Sequence, residues 1–503
     1  MALRTRTILS ISTLLCIGVL VGPTPALASG PRPPAVRHVG QIARQDVPTL
    51  PGSERDTLVE PDVAVSPRNP NIAVAVAHDG RYPDGGAVGI ETSWTHDGGA
   101  TWHHKPLPGV TATTGGKSVW ARASDPVVAF GPGGSVYVST LVFNTGCDSG
   151  VLVSRSDDGG RTFGAPRTAH RSATCAFSDD KNWLVVDTGA TSPHRGRVYQ
   201  FWTPFLTDPF GNPDGSPQAV VWSDDHGRTW SSPVNVSPPH ANTQNSQPMI
   251  APNGRIIDAY IDFGPNEAEE GPEAAEARTG AARTPAPSPG PSAASEPFPA
   301  LVTARSTDGG ASWSPAGLIT RDLGDGPSGF RCCLPSAVVD PTSGMMYASW
   351  NSLDATKVKL SSSRNGTDWT PPVVVNDPTS TLLGVSSDVT AYGGMVTVAF
   401  GLTNASTTNG RFGRQFVALS SDRGQQFGTP LALGPRIDYR FAAQARGIFP
   451  GDYVGSAMTE GRLYAVWAVS GTPPDAGARF HQVIYGASID TAPAPVRSLV
   501  VPR

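Results

Sequence analysis

The chain has 503 residues, a formal net charge of −4, only 16% charged residues, and 56 Gly with 49 Pro. Such a mildly acidic, turn-rich chain lacks the material for long helices and has no electrostatic reason to bind nucleic acid or an anionic membrane. Its length would allow several ordinary domains, unless the chain is built from repeats.

At the N-terminus, Arg4 and Arg6 precede an uncharged apolar run from Ile8 to Val21, and Ala26-Leu27-Ala28 offers the small residues beside which a signal peptidase cuts. The run is too short and wrongly flanked for a spanning helix. Cys16 follows Leu15 rather than a small residue, so a lipid anchor is not expected. Residues 1–28 are therefore expected to be a signal peptide, with the protein secreted to the cell exterior and without a membrane anchor. The remainder carries Cys147, Cys175, Cys332 and Cys333, an even number that in an exported chain points to disulfides. No Cys-x-x-Cys or His-x-x-x-His spacing occurs, so no zinc site is expected. No cofactor is expected either; acidic positions could hold Ca²⁺, but no loop has a recognisable ligand spacing.

From residue 59 onward two patterns alternate. The first is a short strand, a Pro/Gly/Asn turn and a strand of alternating Val, Ala, Tyr and Trp, starting at Glu60, Asp125, Lys181, Gln247, Leu334, Ser387 and Tyr453. Period-2 alternation with a tight turn predicts a β-hairpin each time. The second is Ser/Thr-x-Asp-x-Gly-x-x-aromatic, at Thr95–Trp102, Ser156–Phe163, Ser223–Trp230, Ser306–Trp313 and Ser420–Phe427. A decayed copy spans Ser362 to Trp369, with Arg364 where the Asp should be. The Asp can accept backbone N–H bonds inside a turn, the Gly can take a positive φ, and the aromatic can pack beneath. These residues are committed to the turn and carry no chemistry.

The second pattern is the Asp box, and its recurrence resembles the bacterial sialidase superfamily. The resemblance covers nearly all of the chain beyond the signal segment and implies an all-β fold, a single β-propeller of four-stranded antiparallel blades. Seven first-type hairpins predict seven blades, with six as the alternative. The last copy, Asp452 to Asp490, has no box, and residues 36–48 are candidates for its missing strand. The domain expectation is therefore a signal peptide (1–28), an N-terminal segment closing the ring (29–58), a propeller (59–490) and a C-terminal tail (491–503). Between 264 and 299 the pattern stops in an Ala/Pro/Gly/Glu/Ser stretch, read as a disordered insert within the fourth blade.

Propeller topology puts the crossovers and the loops between second and third strands on one face. Cys147 and Cys175 both reach it, which makes their pairing sensible. Cys332 and Cys333 reach it too, as a vicinal disulfide or as thiols. The innermost strands begin at this face with Glu60 and Asp62, Asp125, Asp179 with Asp180 and Lys181, Gln247, Arg331, Asp388, and Asp452 with Tyr453, a polar ring suited to a sugar.

Sialidases hold the sugar carboxylate with arginines and use a Tyr nucleophile aided by a Glu, with an Asp as acid/base. The run His78-Asp79-Gly80-Arg81-Tyr82-Pro83-Asp84 resembles the segment carrying that Asp, which implies Asp84 as acid/base. Gly451-Asp452-Tyr453-Val454-Gly455 resembles the nucleophile segment, which implies Tyr453, with Glu60 as its partner across neighbouring blades. Arg81, Arg331, Arg446 and Lys181 are the candidate substrate-binding residues, and Arg440 is a further arginine in reach. The family opens its first blade with Arg-Ile-Pro, whereas this chain has Val59-Glu60-Pro61, so the first carboxylate-binding Arg is absent. The resemblance implies a glycoside hydrolase of exo-α-sialidase type working as a monomer on glycans. A non-catalytic glycan- or protein-binding propeller, or a glycosidase or lyase for another polysaccharide, remain the alternatives.

Overall fold

The computed structural model describes residues 34–264, 298–404, 411–475 and 477–491. The signal segment, nearly all of the 264–299 insert and nearly all of the 491–503 tail lie outside the described residues. Among the described residues the regular structure is β, apart from one short 3₁₀ turn at Tyr439–Phe441. Four-stranded antiparallel units follow one another along the chain, each running outward from an innermost strand. The innermost strands are Asp62–Val65, Arg122–Phe130, Phe177–Val186, Thr243–Ile250, Ser336–Val339, Leu383–Tyr392 and Gly455–Thr459. Each packs against the next in this order, and Gly455–Thr459 packs against Asp62–Val65. The arrangement is propeller-like.

The last unit takes strands from both ends of the chain. Gly455–Thr459, Arg462–Ser470 and Gln482–Asp490 are joined by Ala35–Ala43, which pairs antiparallel with Gln482–Asp490 from Ala35 opposite Asp490 to Ala43 opposite Ile484. The core lies between neighbouring sheets, because each strand alternates its apolar residues onto both faces of a sheet covered on both sides. Val63, Val65, Ala73 and Ala75 of the first unit thus share one buried cluster with Tyr464, Val466, Ile484 and Ile42 of the last.

The Asp boxes close the outer hairpins as expected. In the first, the Asp97 carboxylate accepts the Thr95 hydroxyl (2.8 Å) and the Thr101 N–H (3.0 Å), while Thr95 Oγ1 accepts the Gly99 N–H (3.0 Å). Gly99 has φ 88°, and a Cβ there would meet Ser488. Burial pushes the Asp97 carboxyl up, but the Thr101 hydroxyl and N–H outweigh it and bring it to about 2. The same bonds recur around Asp158, Asp225, Asp308 and Asp422. The decayed copy is framed one residue later than expected. Ser363 and Asn365 take the Ser and Asp places, with the Ser363 hydroxyl on Asn365 Oδ1 (3.1 Å) and the Gly366 N–H on Ser363 (2.9 Å). The turn there is one residue shorter, so Arg364 is simply the residue between them.

Cys147 is bonded to Cys175, and Cys332 to Cys333. The first pair closes a sequence separation of 28 residues, for which chain entropy gives about 3.5 kcal/mol of stabilisation. The double variant Cys147→Ser/Cys175→Ser is expected to lose about that much in urea unfolding. A change under about 1 kcal/mol would show that the crossover is held by its other contacts.

Candidate functional site

Four of the innermost strands carry a β-bulge where they enter the mouth, between Ser124 and Val127, Asp180 and Trp183, Gln244 and Gln247, and Val385 and Ser387. The bulged residues Asp125, Lys181, Asn245 and Ser386 have φ between 40° and 67°. Glu60 (φ 54°) and Cys333 (φ 89°) occupy the corresponding places ahead of their strands. None is glycine, and left-handed backbone at such residues costs on the order of 1–3 kcal/mol each. All six are buried. A bulge re-aims a side chain, and repeated around the ring it brings polar groups toward one mouth.

Glu60 Oε1 accepts the Asp452 N–H (3.2 Å), which joins the first unit to the last beside Tyr453. Its Oε2 lies 3.1 Å from His78 Nε2. The Asp125 N–H also points at that nitrogen (2.7 Å), and the Ser124 hydroxyl donates to Asp125 Oδ1 (3.0 Å). With the Asp125 N–H donating to Nε2, that nitrogen bears no proton, and Glu60 can bond it only by sharing the same lone pair through a carboxyl O–H. Glu60, His78 and Asp125 present ligand atoms within 4.8 Å of one another, yet the Asp125 N–H already occupies the Nε2 lone pair that a metal would need. The group is a buried imidazole between two carboxyl-bearing residues.

Tyr453 is buried, its hydroxyl donates to the Pro126 carbonyl (3.2 Å), and its ring meets Trp183 edge-on. Lys181 Nζ is buried without a hydrogen-bond acceptor and sits 3.7 Å from the Tyr453 ring centre and 4.6 Å from that of Trp183. Ring faces stand in for the lost hydration of the ammonium. Arg331 is brought beside this segment because Phe330–Cys332 pairs parallel with Ile448–Gly451. Its guanidinium lies 3.7 Å from Asp452 and 5.4 Å from the Phe449 ring centre. The adjoining Cys333 and Leu334 N–H groups both donate to the Asp452 carbonyl (3.0 Å each).

The structure thus gathers Glu60, Lys181, Arg331 and Tyr453. The other residues stand apart. Arg81 is fully buried, donates to the Gln444 carbonyl (3.0 Å) and lies 4.6 Å from the Phe449 ring centre. It clamps the crossover and does not present itself to solvent. Arg446 is exposed in a turn, at φ 55°, and Arg440 forks onto Asp438 (2.8 and 2.5 Å). Asp84 is exposed and held by both arms of Arg122 (2.7 and 3.1 Å), whose guanidinium also covers the Tyr82 ring. Sequence reasoning quoted His78 without giving it a role. Its signal is a His that directly follows the apolar run Ala73 to Ala77 in a strand, Ala73–Arg81, where every residue is buried.

Behind the mouth, Asp388 accepts from Ser336 Oγ (2.5 Å) and from the Ser456 N–H and hydroxyl (2.6 and 2.5 Å), tying three units together. Burial pushes Asp258 up to about 8, Asp62 and Glu54 to about 7, and Asp388 to about 6. Unfolded carboxyls titrate near 4. Between about pH 4 and 8 the folded chain therefore binds more protons than the unfolded one, and stability falls as pH rises. The Asp-box aspartates act with the opposite sign, giving stability above about pH 4 that is lost below it. The urea midpoint is expected to be highest near pH 4–5 and lower at pH 8; a steady rise from pH 5 to 8 would contradict these protonation states.

No protein-family model matches the sequence, and no curated protein matches it. Among solved structures, it is similar to the Hadza microbial sialidase Hz136 (12% identity, 91% of this chain and 98% of that one, TM-score 0.45). It is also similar to an α-L-arabinofuranosidase from Fusarium graminearum (14% identity, 73% and 93%, TM-score 0.45). A third is the NanB sialidase from Streptococcus pneumoniae (14% identity, 89% and 70%, TM-score 0.40). Likenesses this loose say nothing about activity.

Proposed function

We propose that the chain is a secreted, monomeric, seven-bladed propeller of sialidase-like type that hydrolyses terminal sugars of glycans at the axial mouth. Tyr453 and Glu60 carry the chemistry in this reading, with Arg331 and Lys181 at the rim. One observation carries it: Glu60 of the first unit accepts the Asp452 N–H of the last, so a carboxyl from one end of the chain is fastened to the segment that carries Tyr453 at the other. A proton held between Glu60 and His78 gives the mouth a group able to protonate a leaving oxygen. Asp84 serves as acid/base only if substrate draws it away from Arg122. The arginine with which sialidases open the first blade is replaced here by Val59-Glu60-Pro61, which favours an uncharged sugar over sialic acid.

The test is release of aryl alcohol from a panel of aryl glycosides, neutral sugars and the α-sialoside together, by the purified protein and by Tyr453→Phe and Asp84→Asn. Turnover on a neutral glycoside that Tyr453→Phe abolishes supports the reading. Turnover on the sialoside alone restores the exo-α-sialidase form of it. The hydrogen bond from Tyr453 to the Pro126 carbonyl favours a second reading, a glycan-binding propeller without turnover. Glycan retention without hydrolysis of any panel member establishes that one and removes the first.

A further inference from the structure

Beyond the strand that completes the last unit, the chain turns along the outer half of the first. The Asp46 and Val47 N–H groups both donate to Asp79 Oδ2 (3.0 Å each), and Val47 packs with Tyr82 and Val88. At the same place Asp46 Oδ2 lies 2.8 Å, and Glu91 Oε1 3.2 Å, from His104 Nδ1. The ligand atoms of these three residues fall within 4.8 Å of one another. Glu91 Oε2 and Asp79 Oδ1 are buried and meet no N–H or O–H of another residue, so the two carboxyls can bond each other only through a shared proton, and both residues are no more than 1% exposed. Asp46 and Glu91 thus converge on a single imidazole with the Asp79 carboxyl beside Glu91, and that imidazole can supply at most one positive charge. Orphaned buried oxygens of this kind are costly unless a proton or a cation lies among them.

We propose that Asp46, Glu91 and His104, with Asp79 beside them, form a binding site for one divalent first-row transition-metal ion, which fastens residues 44–50 to the first unit. One imidazole nitrogen with carboxylate oxygens suits Mn²⁺ or Zn²⁺ better than Ca²⁺ or Mg²⁺, which prefer all-oxygen sets. The ion replaces the proton that His104 Nδ1 otherwise shares between Asp46 and Glu91, and the exposed Asp46 side leaves a path from solvent. Binding therefore releases protons.

The test is calorimetric titration of the chelator-treated full chain with ZnCl₂, MnCl₂ and CaCl₂, together with thermal unfolding. One equivalent of Zn²⁺ or Mn²⁺ is expected to bind and to raise Tm, because an ion that binds only the folded chain stabilises it. Glu91→Gln, Asp46→Asn and His104→Gln should each weaken binding by about 10–100-fold. Asp46→Asn alters an exposed side chain and reads the site even if Glu91→Gln fails to fold. No saturable binding by any ion, or binding that Asp46→Asn and His104→Gln leave unchanged, overturns the proposal. So does a Ca²⁺ site indifferent to His104→Gln.

Discussion

Removal of residues 1–43 is expected to abolish the cooperative unfolding transition of the protein or to shift it to a far lower urea midpoint. The Ala35–Ala43 strand pairs with Gln482–Asp490 along its length and puts Ile42 and Ala43 into the core, at 3% and 2% exposure. Burying an Ile is worth about 2–3 kcal/mol and each ladder hydrogen bond about 1 kcal/mol net. The sum, roughly 5 kcal/mol or more, reaches the whole net stability of many domains. The loss also uncovers Gln482–Asp490 as an open edge able to pair with other chains. Added peptide spanning residues 34–44 should restore part of the transition. An unchanged midpoint in the truncated chain would mean that the strand decorates a ring already stable without it.

Glu60→Gln is expected to lower kcat by about 10²–10³-fold on whichever aryl glycoside the protein turns over, with KM changed far less, because general acid–base groups contribute on that scale. The variant keeps the size of the side chain and an oxygen able to accept the Asp452 N–H, so the link between the first and last units survives. What it loses is the proton exchange with His78. One limb of the pH–rate profile should vanish with it. Full activity in Glu60→Gln, with the profile intact, would reduce Glu60 to a strut between two blades and leave the mouth without its proton donor.

The Asp boxes were legible because every contact in them is local. Asp97 bonds residues two before and four after it, so the spacing is the structure. The copy at Ser363 and Asn365 was misframed for the same reason, since a turn shortened by one residue no longer matches the spacing. The bulges left no trace in composition: Glu60, Asp125 and Lys181 take a conformation that usually advertises itself through Gly or Asn. The contact of Glu60 with Asp452 spans 392 positions and follows only from the way the units meet. Arg81 was a candidate for a ligand as part of the run from His78 to Asp84 that resembles the sialidase acid/base segment. Its strand, however, is covered on both faces, and period-2 alternation says nothing about which side reaches solvent. The fork between Asp84 and Arg122 likewise arises where two sheets touch, through the pairing of Ala87 with Ala123.

A sheet woven from both ends of the chain also imposes a timetable. Among the described strands Ala35–Ala43 is synthesised first and its partner Gln482–Asp490 last, and contacts so distant in sequence form slowly. Until then the earliest strand has nothing to lock onto. For a chain exported unfolded, as proposed above, such a latch would keep the ring from closing until Gln482–Asp490 had arrived.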